Sequence, residues 1–215
     1  MRGITIRLNG ESVHTGNGLG LVQEVKEIGK PTVQSYTVEV PGRNGLLNLT
    51  KGLTGRVTYS NRLLKFEYFG DGTRSELLEI DELLSRFHGE TVQIVDDDYP
   101  NAYYEGEMTV STAFFPNYAR FILEVDAQPF RYKSAENSVS RSVGSSTTIS
   151  IDHSGAPVVP TITVTAETKI TFKNTTVSVG AGTYRFENFM LEPGTNTFTV
   201  SGSGTVTIKY REGAI

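Results

Sequence analysis

Cysteine and tryptophan are both missing from the 215 residues. Without thiols, neither a disulfide framework nor a thiolate metal site can form, which suits a protein made and assembled in a reducing cytoplasm. Without tryptophan, the largest sugar-stacking ring is absent. Basic charge is also short: 20 Lys and Arg stand against 24 Asp and Glu, a net charge of -4. That balance argues against a nucleic-acid binder relying on a basic surface. No apolar run approaches the ~18 residues of a membrane-spanning helix. Met1 to Gly10 carry no charged segment followed by an apolar stretch, so no signal peptide is expected. A soluble protein folded inside the cell is the expectation.

What is present divides near residue 137. Positions 1–136 hold 33 of the charged residues and 15 of the 21 aromatics, whereas the last 79 residues hold 11 charges and 25 Ser and Thr. The junction, Lys133 to Ser146, is polar and poor in large apolar residues, reading as a linker or a long crossing strand. Two domains are expected, 1–136 and 137–215.

The first half alternates apolar and polar residues over Ile4 to Leu8, Val33 to Val40, Leu63 to Phe69, Val92 to Val95, Tyr103 to Val110 and Ala119 to Val125, the period of half-buried strands. One helix is expected from Arg74 to His88. Leu77, Ile80, Leu84 and Phe87 fall at helical spacing, with Asp71 and Thr73 as possible caps and Gly89 closing it. These elements suggest a small β-barrel or split barrel carrying one α-helix. The second half shows short strands broken by Gly180-Ala-Gly182, Pro193-Gly194 and Ser201-Gly-Ser-Gly204, the pattern of a small antiparallel β-sandwich. The fold class is mainly β throughout.

The stretch Thr37-Val-Glu-Val-Pro-Gly-Arg-Asn-Gly-Leu-Leu-Asn-Leu-Thr50 reads as a strand, a turn at Pro41 to Gly45 and a second apolar segment folded back on the first. Its wording resembles the N-terminal domain of phage distal tail proteins, the Dit family. Leu53-Thr-Gly55, Tyr59 to Phe66, the helix region Glu76 to Gly89 and Tyr99 to Gly106 follow in the family's order. Asp126 to Tyr132, Leu191 to Asn196 and Gly204 to Arg211 extend the resemblance over most of the chain. It implies a first domain forming a homohexameric ring at the distal end of the tail tube, and a galectin-like second domain projecting outward. It also implies tail tube and tail tip or baseplate proteins as partners, DNA passing through the channel, and a place in the virion tail after assembly in the host cytoplasm.

Residues that carry chemistry are sparse. Asp96, Asp97 and Asp98 offer hard oxygens in a row but no EF-hand spacing. They are a solvated strand end or, in a ring, an acidic loop lining a DNA channel. Glu105 and Glu107 share a strand face, where a glycosidase pair is possible and an ordinary polar face is the plainer reading. His14, His88 and His153 lack ligand spacing, and His88 fits a role at the negative end of a helix dipole. Gly16 to Gly20 lacks the Lys-Ser/Thr of a phosphate loop and reads as a flexible hairpin or arm.

Arg43 and Asn44 stand at a turn tip, where the guanidinium suits a neighbour's carboxylate. Phe114, Phe115 and Tyr118 cluster in an expected loop, as at an interface or in a local core. The expectation is a non-enzymatic scaffold with no catalytic residues, metal or cofactor, assembling with itself through edge strands and the Glu11 to Thr32 segment. The alternative is a carbohydrate-binding module, with Tyr184 as its best stacking residue.

Overall fold

The computed structural model describes residues 2–50, 52 and 55–215. Leu53 and Thr54, part of the sequence resemblance, lie outside them. The chain forms two compact units, residues 1–131 with Ile215, and residues 132–214.

In the first unit the elements run β1 (Ile4–Leu8), β2 (Glu11–His14), β3 (Val22–Ile28), β4 (Val33–Gln34), β5 (Thr37–Val38), β6 (Leu47–Asn48), β7 (Thr58–Tyr59) and β8 (Arg62–Asp71). The helix α1 (Arg74–Ser85), β9 (Thr91–Asp96), β10 (Ala102–Phe114) and β11 (Tyr118–Ala127) follow. Seven strands pair antiparallel in the order β2-β1-β9-β10-β11-β8-β3. The sheet does not close, since β2 and β3 are its two edges, so the open arrangement is adopted rather than the closed barrel.

Alternation decides which face is covered. Leu64, Phe66 and Tyr68 of β8 and Phe121, Leu123 and Val125 of β11 are buried, together with Leu77 and Leu84 of α1, as a period-two strand packed on a helix requires. Thr73 and Glu76 form a capping box at the start of α1, satisfying two orphan amides reciprocally. The helix ends at Ser85, earlier than His88. Phe87 and His88 instead bond the carbonyls three residues back, Leu84 and Ser85, which tightens the last turn. Phe87 stays in the core from this turn.

Two glycines are fixed by geometry. Gly10 follows Asn9 in the two-residue turn between β1 and β2, with φ of 89° and 51°, the primed turn that Asn-Gly favours. Gly106 on β10 faces Ala127 on β11, and a Cβ there would lie 2.3 Å from the Asp126 carbonyl oxygen.

The second unit begins with β12 (Arg131–Lys133) at the boundary. It continues with β13 (Asn137–Ser142), β14 (Thr147–His153), β15 (Thr161–Val164), β16 (Thr168–Phe172), β17 (Thr175–Val179), β18 (Gly182–Arg185), β19 (Gly194–Gly202), β20 (Thr205–Tyr210) and β21 (Gly213–Ala214). Two four-stranded antiparallel sheets, β13-β20-β15-β18 and β14-β19-β16-β17, form a sandwich. Its core holds Ile149, Ile162, Phe172, Phe189, Phe198 and Ile208. The polar stretch after Lys133 contains the edge strand β13, whose Ser138, Ser140 and Ser142 are exposed. The division between the compact units falls at 131/132, and the composition break at 136/137.

Hydroxyls line up across both sandwich sheets. Ser140, Thr207, Thr163 and Thr183 make one four-strand row, and Thr148, Thr199, Thr171 and Thr176 make the other. Within them Ser140 bonds Thr207, Thr163 bonds Thr183 and Thr171 bonds Thr176, at 2.9 to 3.0 Å.

Candidate functional site

Two short ribbons form between β3 and β8, β4 with β7 and β5 with β6. In the second, Thr37 faces Asn48 and Val38 faces Leu47, the fold-back that the turn chemistry requires. The Tyr36 amide donates to the Thr50 hydroxyl at 2.9 Å, and the Leu49 amide to the Tyr36 carbonyl at 2.8 Å. These bonds close the base of the arm. Its sides are bare: Val33, Tyr36, Val38 and Leu46 are 48, 49, 47 and 61% exposed. Arg43 and Asn44 stand exposed near the tip between Gly42 and Gly45, both at positive φ. No carboxylate among the described residues pairs with Arg43.

The Glu11 to Thr32 segment is not an arm. It supplies β2 and β3, and consecutive turns join them. Gly18 and Leu19 donate to the His14 carbonyl, Gly20 to that of Gly16 and Leu21 to that of Thr15. Leu21 is fully buried, so the glycine-rich run is pinned rather than flexible.

Asp96, Asp97 and Asp98 are each tied down locally. Asp96 is 2% exposed and pairs with Lys26 Nζ at 2.6 Å. Asp97 accepts from the Gly3 amide at 2.8 Å and from His14 Nε2 at 3.1 Å. Asp98 accepts from Lys26 Nζ at 2.5 Å and lies 3.7 Å from Arg2. Lys26 holds the Asp98 carboxyl below its usual range, and these bonds raise the Lys26 ammonium against the opposing effect of burial. Together the three residues staple the chain start, the turn after β2 and β3 to the end of β9. Of the three, Asp96 presents almost nothing to solvent.

A broader acidic surface lies on the outward face of the large sheet, where Glu105 and Glu107 belong. Glu107 stands directly opposite Asp126, a like-charge cross-strand pair that costs stability. Glu124, Lys65 and Glu27 form the adjoining row, with Glu67 two residues along β8. Lys65, raised mainly by its hydrogen bond to Glu67 at 2.9 Å, is the cation within this group. Glu105 accepts from Gln93 at 3.2 Å and Gln128 at 3.3 Å. It is engaged as an acceptor on a sheet face. The sequence showed only one pair of these acids; the array appears once the strand register joins β10, β11, β8 and β3.

Phe115 and Tyr118 come together at the β10–β11 turn, whereas Phe114 packs against the core cluster on the other face of β10. Phe115 stacks on Tyr118 at 4.3 Å, and Tyr118 meets Phe69 at 5.1 Å. The Arg74 guanidinium lies 3.9 Å above the Phe114 ring. Phe115 remains exposed at the end of this ladder.

The histidines lie apart. His88 Nδ1 accepts the Val110 amide at 3.0 Å, so its role is that of an acceptor joining the helix end to β10 and not of a charge on the helix dipole. Among the described residues, no group of three or more His, Asp or Glu converges as a metal site. In the second unit Tyr184 stacks on Phe186 at 5.8 Å and donates to the Gly180 carbonyl, which engages its ring and hydroxyl within the sandwich.

No protein-family model matches the chain, and no curated protein matches it by sequence. Its architecture is an open helix-backed sheet with an exposed ribbon, followed by an antiparallel sandwich. The crystal structure of the SPP1 Dit (gp 19.1) protein, a paradigm of the hub adsorption apparatus of phages infecting Gram-positive hosts, superposes on it with a TM-score of 0.63. The match covers 99% of both chains at 17% sequence identity. The fold is shared from end to end.

Proposed function

We propose that the chain is the hub subunit of a phage tail, a non-enzymatic scaffold of the virion that needs no cofactor. Its copies close into a ring, six by the family's pattern, that joins the tail tube to the tail tip or baseplate and continues the DNA channel. The galectin-like second unit projects from that ring, and assembly takes place in the host cytoplasm. The match to SPP1 Dit over 99% of both chains carries this reading.

Two surface features support it. Every large apolar residue exposed among the described residues belongs to the first unit, as expected of an assembly surface. A closed ring requires a heterologous contact, one patch meeting a different patch on the next copy; the ribbon arm and a sheet edge are such a pair. The outward acidic face around Glu107, Glu124 and Asp126 suits a channel wall, since like charge keeps phosphate from adhering. It fits that role better than Asp96 to Asp98, whose charges are spent on Lys26, His14 and Arg2.

Light scattering across a concentration series, with electron microscopy of the same samples, tests the proposal. A discrete ring with a mass that is a multiple of 23.6 kDa is expected, either alone or on phage tail tubes. A monomer at every concentration that also ignores tail tubes overturns it. Glycan binding by such a monomer would favour the carbohydrate-binding module instead.

A further inference from the structure

His153 ends β14, and its side chain is fully enclosed. Nε2 lies 2.7 Å from the Ala156 carbonyl oxygen, which accepts only, so Nε2 carries hydrogen and the neutral ring leaves Nδ1 a bare acceptor. Nothing hydrogen-bonds to Nδ1, an arrangement that costs free energy in a buried site. Glu212 Oε1 stands 4.0 Å away. That carboxylate is anchored on its other side by Lys133, and the Ser154 hydroxyl donates to Oε1 at 3.4 Å. The Lys133 bond holds the Glu212 carboxyl below its usual value, so it remains charged at neutral and mildly acidic pH.

The other groups around the imidazole are accounted for. Tyr210 of β20 meets its ring edge-on at 5.6 Å. Asp152, its exposed neighbour on β14, accepts from the Thr195 hydroxyl at 2.7 Å. The turn that holds His153 also receives the chain end, because the Ala156 amide donates to the Gly213 carbonyl at 2.7 Å. Glu212 immediately precedes β21, which pairs with β12. The ends of the second unit therefore meet beside one buried imidazole.

We propose that His153 and Glu212 form a proton-operated latch on the last strand of the second unit. With Nδ1 bare, the two side chains face each other without a bond. A proton taken from solvent onto Nδ1 turns the bare acceptor into a donor toward Oε1, closing a charge-assisted bond that ties Glu212 and β21 to the β14 turn. Linkage requires that this bond add stability as pH falls through the range where histidine side chains charge.

The test is thermal unfolding of the full chain, with His153→Gln, Glu212→Gln and the double variant, at about pH 8 and about pH 5.5. Both single variants should lower the melting temperature of the second unit more at the lower pH, and the double variant should cost no more than either. Equal costs at the two pH values, or additive costs, overturn the proposal. If His153→Gln does not fold, the histidine ring proton signals of the wild type and Glu212→Gln serve instead. A titration of His153 that shifts on removing the carboxylate supports the latch, and a His153 signal flat between about pH 8 and 5 overturns it.

Discussion

The two units bury similar kinds of core and present opposite surfaces. The first leaves Val22, Val33, Tyr36, Val38, Leu46, Leu63, Leu78, Tyr99 and Phe115 exposed, whereas no large apolar side chain of residues 132–214 is. The outward rows of the second are serine and threonine. Both units obey the same alternation, so the difference lies in what each strand places on its outer face. Threonine suits a strand through its β-branch and costs nothing in water; exposed valine and leucine on a thin ribbon favour the fold no better and invite association. The exposed apolar surface is thus concentrated in one half of the chain.

The sharpest way to break this contrast is to put charge on the arm. Val38→Asp with Leu46→Asp should abolish ring formation, read as mass by light scattering, while the melting temperature stays within a few degrees because neither residue is in a core. If the rings persist, the arm is not the assembly surface. Next in size, Gly106→Val should unfold the first unit, since a side chain has no room against the Asp126 carbonyl. A loss of about 3 kcal/mol or more is expected, with the transition of the second unit left in place in calorimetry.

Lys26→Met leaves Asp96 buried without its counter-ion and should cost the first unit about 3 kcal/mol in denaturant titration. The same variant alters the acid limb. Lys26 holds the Asp98 carboxyl below its ordinary range, so that contribution is full above about pH 4 and is lost as pH falls through the lowered folded value. Removing Lys26 should flatten the fall in stability over that window. Smallest, Thr73→Ala removes half of the capping box and should cost about 1 kcal/mol, read as a modest drop in the first unit's melting temperature alone.

Much of this contrast was legible in the sequence, though unevenly. The helix announces itself through Leu77 and Leu84, and the ribbon through the turn chemistry at Pro41 to Gly45, because both signals are local. The Asn9-Gly10 turn is an equally local signal. The burial of Asp96 was beyond reach. Three consecutive aspartates look solvated until Lys26, seventy positions earlier, is folded against them. The acidic face was hidden for the same reason, since Glu107 and Asp126 become neighbours only through strand register. The serine-rich stretch after Lys133 reads as a linker or a long crossing strand, and the strand is what forms, since at a sheet edge hydroxyls serve as well as apolar groups.

The hydroxyl rows carry one more consequence. In a ring of the kind proposed, tethered copies would see one another at effective concentrations on the order of millimolar, where even weak stickiness would glue their second units together. Serines and threonines that spend hydrogen bonds on their own row, as Ser140, Thr163 and Thr171 do, have little left to offer a neighbour. The outer rows of the second unit thus present a surface that tolerates crowding without adhering.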